Sequence, residues 1–269
     1  MRIEKRAEEI SVKNNKLIYK IVLALLTAAG LVLTLSTRAA GIADGATAAA
    51  KMVFALSLIL LIVGAVMLVV TFVPNRGTTD TRKLTMAAMF AALCYVGFAY
   101  LRIDIPVGTE KTAFHLGNVF VVLGALFMGG LWGGMSGAVG LTIADLTSGY
   151  VTSAPKTFLL KLGIGLIAGL VAHCVFKISQ GKQERKISLP VATAVSSAAG
   201  MAFNVVADPL VGYFYKAYVL GVPQDAAKIW AKIGAVTTLV NAVVAVVVST
   251  ILYLALRPAL EKSHLMPKV

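Results

Sequence analysis

Eight apolar stretches of roughly membrane-spanning length account for most of this chain, at about residues 17–36, 50–73, 83–101, 114–129, 131–149, 156–177, 188–212 and 228–257. A helix needs about 20 such residues to cross the hydrocarbon core of a bilayer. In lipid the backbone finds no water to bond, so these stretches are expected to be helices that satisfy their own N–H and C=O groups. The prolines at positions 74, 106, 155, 190, 223 and 258 lie between or at the ends of the stretches, as helix boundaries do. The short fourth and fifth helices meet at Gly129-Gly130 with almost no loop.

Composition agrees with that reading. Of 269 residues, 58% are hydrophobic and 14% charged, with a mean hydropathy of +0.86. A water-soluble domain carries roughly 25% charged residues, so this chain has too little polar surface to cover itself in water. The expected fold class is all-α, a polytopic membrane protein of eight transmembrane helices. The formal charge of +13 does not point to nucleic acid, because Lys and Arg punctuate the ends of apolar runs instead of forming a basic groove. With the N-terminus inside, sixteen Lys and Arg fall on cytoplasmic segments and eight on outer ones. This positive-inside bias places both termini in the cytoplasm and the protein in the cell membrane. Cys94 and Cys174 fall on different spans, which excludes a disulfide framework; both read as small core residues. No metal-ligand spacing is present. The N-terminal head contains Glu4, Glu8 and Glu9 before an apolar run of span length, unlike a signal peptide.

The linker from Pro74 to Arg82 is the most polar segment between spans on the inner side. It divides residues 1–77, a cytoplasmic head and two-helix hairpin, from a six-helix core at 78–260 and a tail at 261–269. The hairpin reads as an anchoring or packing element. The two halves of the core share no repeat, which argues against an inverted-repeat secondary transporter.

Asp145, Lys161 and Asp208 lie inside apolar spans. A charge at mid-membrane depth costs roughly 2.5–3.5 kcal/mol on insertion scales, so it usually faces a partner or a ligand. Counting about 1.5 Å per residue from the outer helix ends brings these three to one depth. Asn204 lies one turn before Asp208 on the same face. His115 and Asn118 open the fourth helix, and Lys232 and Asn241 lie on the last. Asp145 and Lys161 on adjacent helices would make a buried ion pair. That pair leaves Asp208 and the asparagines without partners, whereas a cavity open to the outside and receiving a small polar molecule serves all of them. Leu101 to Phe114 is long enough to cover the mouth, with Tyr150 in the next outer loop and Tyr213, Tyr215 and Tyr218 as further aromatics. The inner half is built from small residues: Gly129, Gly130, Gly133, Gly134 and Gly137, and an Ala-x-x-x-Ala stripe of Ala87, Ala88, Ala91 and Ala92. Such spacing lets helices approach closely, within the chain or against a partner.

These residues resemble the substrate-binding S components of energy-coupling factor (ECF) vitamin transporters, in the riboflavin-type or uncharacterised branch. The likeness runs from about residue 83 to 257 and is carried by Phe114-His115-Leu116-Gly117-Asn118 through Gly129-Gly130, Ile143-Ala144-Asp145-Leu146, and Ala154-Pro155-Lys156-Thr157 with Lys161. The resemblance implies a six-helix unit that binds a vitamin or related heterocyclic precursor from outside. Its alanine stripe, here Ala87, Ala88, Ala91 and Ala92, would dock onto a transmembrane coupling subunit, and two cytoplasmic ATPases would complete the importer. The expected substrate-binding residues are Asp145, Lys161, Asn204, Asp208, His115, Asn118 and Tyr150. The N-terminal hairpin departs from the six-helix pattern. The chain contains no Gly-x-x-x-x-Gly-Lys-Ser/Thr loop, so ATP belongs to partner subunits, and no cofactor is expected in this chain.

Two other functions compete. A stand-alone secondary transporter would use Asp145 or Asp208 to carry a proton. A rhomboid-like intramembrane protease would use Ser136, in Gly134-Met135-Ser136-Gly137, with His173 as its base. Packing and an interfacial histidine are the plainer readings of those two residues.

Overall fold

The computed structural model describes residues 24, 25, 27–32, 53, 57, 81–108, 110–180, 187–263, 265, 266 and 269. The chain divides into two compact units, Met1–Thr78 and Thr79–Val269. In the first unit the described residues are helical, within the spans expected at 17–36 and 50–73. The rest of that hairpin, and with it the count of eight membrane helices, lies outside the described residues.

Among the described residues the second unit contains six α-helices and one β-hairpin: α1 Thr81–Ala99, β1 Arg102–Val107, β2 Glu110–His115, α2 Gly117–Met128, α3 Gly130–Thr147, α4 Ala154–Leu170, α5 Leu189–Phe214 and α6 Gln224–Lys262. The protein is mostly helical as expected; the hairpin adds two short strands and moves the start of the fourth span from 114 to Gly117. Its cause is local. Ile103, Ile105 and Val107 alternate with Arg102, Asp104 and Pro106, and Gly108 takes a positive φ of 62° that a tight strand connection requires. The strands pair antiparallel from Arg102 opposite His115 to Val107 opposite Glu110.

Among the described residues, four helical stretches are long and apolar enough to cross a membrane: Arg82–Ala99, Val151–Val175, Leu189–Val219 and Gln224–Lys262. α2 is different. Its 12 residues reach about 18 Å, eleven of them are buried, and it packs against all five other helices. It is therefore the central rod of the unit. Phe127 on α2 meets Phe90 of α1 at 6.2 Å and Tyr253 of α6 at 4.8 Å between ring centroids.

The glycines permit this density. A Cβ on Gly133 would overlap the α2 backbone at Gly124 and Ala125, and one on Gly165 of α4 would overlap the backbone of Gly134. The glycine seam is thus packing within the chain. The alanine stripe divides. Ala87 is buried and Ala91 lies with its carbonyl against Gly140 of α3, whereas Ala88 and Ala92 are exposed beside Leu84, Met89 and Val96. Cys94 is buried as expected, but Cys174 is exposed, in the π turn Val171–Val175 at the end of α4.

Two prolines do not end their helices. α5 passes through Pro209, which cannot donate to the Val205 carbonyl, and α6 passes through Pro258. Beyond Pro258 the helix supplies Glu261, whose carboxylate accepts from Arg257 Nε at 2.6 Å. Arg257 also donates to the Ile178 carbonyl at 2.7 Å and to the Tyr253 hydroxyl at 3.1 Å, closing the end of the bundle opposite the β-hairpin.

Candidate functional site

At the hairpin end, α2 through α6 and β2 enclose a cavity of about 140 Å³. All seven expected binding residues line it: His115, Asn118, Asp145, Tyr150, Lys161, Asn204 and Asp208. α6 contributes one face, Trp230, Ile233, Gly234, Thr237, Thr238 and Asn241, at the three- and four-residue spacing of a helical stripe.

The pairing inside differs from the expected Asp145–Lys161 bridge. Asp208 on α5 accepts from Lys156 Nζ on α4 at 2.8 Å and from Thr238 Oγ1 on α6 at 2.6 Å. Asp145 on α3 accepts from Thr157 Oγ1 on α4 at 2.5 Å. Lys161 is buried, and no carboxylate lies within 4.0 Å of its ammonium among the described residues. Lys156 and Thr157 take these carboxylates because they occupy the first turn of α4, level with the acids. Lys161 stands one turn deeper.

Two more groups lack partners. The side-chain carbonyl oxygens of Asn118 and Asn204 are buried and receive no hydrogen bond among the described residues. Asn241 is by contrast fully used. Its Oδ1 accepts from the His115 backbone N–H and its Nδ2 donates to the Ala113 carbonyl, both at 3.0 Å, fastening β2 to α6. His115 Nδ1 accepts from the Gly117 N–H at 3.1 Å, which leaves the ring proton on Nε2. Burial, and then the nearby Lys161 ammonium, push the imidazole down to about 3, so it is neutral at physiological pH.

The hairpin is tied across the mouth by Asp104. Its Oδ1 accepts from Arg102 Nε and the Tyr150 hydroxyl, both at 2.8 Å, and its Oδ2 from Lys111 Nζ at 3.0 Å. Burial opposes ionisation of Asp104, but the bonds from Tyr150, Lys111 and Arg102 outweigh it and hold the carboxyl below its ordinary value. Burial and the bond to Asp104 push the Tyr150 phenol up. Tyr150 therefore offers the cavity its ring, not its hydroxyl. Phe98 meets it edge-on at 5.3 Å and Lys111 Nζ stands 4.6 Å from its centroid.

Lys232, Tyr213, Tyr215 and Tyr218 do not line the cavity; Lys216 and Trp230 do, with the ammonium 4.0 Å from the indole centroid. Lys156, Thr157, Thr237, Thr238, Lys111 and Trp230 were absent from the expected set. Lys156 and Lys111 fall at or just outside the ends of the apolar stretches, where a charge reads as topology, and threonines and an interfacial tryptophan give no distinctive signal in an apolar helix.

The protease reading finds no dyad. Ser136 Oγ donates to the Trp132 carbonyl at 2.8 Å, while the His173 ring contacts the Ala125 carbonyl at 3.0 Å and Ser179 Oγ at 3.2 Å. Among the described residues no cluster of three His, Cys, Asp or Glu side chains is placed to hold a metal.

A family model, ECF-type riboflavin transporter, S component, matches residues 78–258. The chain belongs to that family. It is a membrane substrate-binding subunit of an ECF transporter, and the match runs from before α1 to Pro258 within α6, covering the cavity but not residues 1–77. S components work with a membrane coupling subunit and ATPases and bind small vitamin substrates. No curated protein and no solved structure matches the chain.

Proposed function

We propose that this S component captures a small polar solute from outside the cell in the cavity beneath the β-hairpin and delivers it through a coupling subunit. The observation that carries the reading is the convergence of Asp145, Lys161, Asn118, Asn204 and Asp208, from four helices, on one cavity. Polar groups at that depth are costly unless they serve each other or a ligand, and two carbonyl oxygens and one ammonium there have no partner among the described residues.

Both termini lie in the cytoplasm on this reading, in keeping with the positive-inside bias. ATP is hydrolysed by two partner ATPases, and this chain needs no cofactor. The exposed face of α1 around Ala88 and Ala92 meets the coupling subunit. The test is uptake of the solute that co-purifies with the protein, identified by mass spectrometry. Uptake should vanish when the coupling subunits are deleted and survive an uncoupler. Persistence without those subunits, with collapse on uncoupling, would establish a secondary transporter instead.

A further inference from the structure

The cavity holds groups that its own walls do not use, and these describe its occupant. Four lysines line it, at 111, 156, 161 and 216, against two aspartates, at 145 and 208. Lys156 is paired with Asp208, Lys111 with Asp104, and Lys216 is held on the Trp230 ring. The carboxylates are engaged as well, Asp208 by Lys156 and Thr238, and Asp145 by Thr157. Lys161 is left as a buried cation with neither an ion pair nor a hydrogen bond among the described residues. The Asp208 and Asp145 carboxylates attract this ammonium only through space, and a buried charge without a direct partner is costly, so an anionic group reaching it would be favoured. The free carbonyl oxygens of Asn118 and Asn204 require donors.

Size adds a second constraint. The cavity's 140 Å³ is close to that of the engineered cavity of about 150 Å³ that takes one benzene ring. It falls below the roughly 300–1,000 Å³ of sites for larger ligands.

We propose that the occupant is a single-ring molecule bearing an acidic group. Lys161 receives the anion, and Asn118 and Asn204 receive N–H or O–H donors of the ring. This rests on the capture reading above and narrows it to small ring acids.

The test is isothermal titration of the purified, ligand-stripped protein with orotate against uracil, nicotinate against nicotinamide, and riboflavin. At least one acid should bind tenfold or more tightly than its neutral counterpart, and riboflavin more weakly than that acid. Lys161→Gln should reduce the acid-to-neutral preference to about one, while Lys161→Arg should retain it, with circular dichroism showing both variants folded. Riboflavin binding best, neutral rings binding as well as acids, an unchanged preference in Lys161→Gln, or no binding by any probe would each overturn the inference. Those outcomes leave the capture reading standing, because it is decided separately by the dependence of uptake on the coupling subunits.

Discussion

Asp208 joins three helices through two short bonds, to Lys156 on α4 and Thr238 on α6. Replacing it with Asn removes the charge that compensates a mostly buried ammonium. Breaking a fully buried pair costs about 3–5 kcal/mol. Both side chains keep some solvent contact, 15% for Lys156 and 20% for Asp208, so the expected loss for Asp208→Asn is about 2 kcal/mol. It should appear as a lower melting temperature in detergent together with ligand affinity at least tenfold weaker; wild-type values for both would remove Asp208 from the site. Asp104 gives a pH prediction. Its carboxyl is held below the ordinary value of 3.8 in the folded state, so its contribution is complete above that value and is lost as pH falls through the lower folded one. Amide exchange in Arg102–His115 should therefore be insensitive to Asp104 between pH 5 and 8, while Tyr150→Phe should speed it about fivefold, the loss of roughly 1 kcal/mol for one partly exposed hydrogen bond. Depth was legible at this scale, because 1.5 Å per residue fixes height along a helix. Rotation was not. One turn at the start of α4 separates Lys156 from Lys161, and only packing decides which ammonium meets Asp208.

Among the elements, the crossing of α3 and α4 sets how closely the wall that bears Asp145 approaches the wall that bears Lys156 and Lys161. Gly165 faces the Gly134 backbone so tightly that a methyl group overlaps main-chain atoms, which cannot swing aside as a side chain does. Gly165→Ala should cost about 1–3 kcal/mol by overpacking. Gly234 on α6 provides the contrast. It lines the cavity and a Cβ there meets nothing within 4 Å, so Gly234→Ala should be neutral or stabilising by up to about 1 kcal/mol. Thermal melts of the two variants in one detergent check the pair, and equal stability would mean that α3 and α4 are not so closely packed. The glycine periodicity made this seam readable, since small residues at four-residue spacing have few other uses. The β-hairpin was not read, although its alternation and Gly108 were present. Six-residue strands between membrane-length helices are short enough for their signal to merge with a loop, and Pro106 strengthened that impression. α6 was likewise cut short at Pro258, because the compensating bond from Arg257 to Glu261 is tertiary information in effect: it matters only once Ile178 holds the guanidinium in place.

For the whole molecule, the two ends of the core differ in kind. The hairpin end gathers charged and amide groups around a cavity, while α1 carries an outward face of Leu84, Ala88, Met89, Ala92 and Val96. If capture and docking are separate tasks of these regions, a bulky side chain on that face should disable one and spare the other. Ala88→Trp places its ring in open space beside Ala92, so the fold and the ligand affinity should remain within about twofold of wild type. Assembly with the coupling subunit should drop by tenfold or more, because small residues let helices approach closely and an indole holds them apart. Ala87→Trp supplies the control: Ala87 is buried, and the same ring there should destabilise the protein by several kcal/mol instead. Co-purification of the coupling subunit with each variant, alongside titration of the ligand, separates the effects. Full assembly of Ala88→Trp would show that the coupling subunit meets a different face and that the exposed half of the alanine stripe is only a lipid-facing surface.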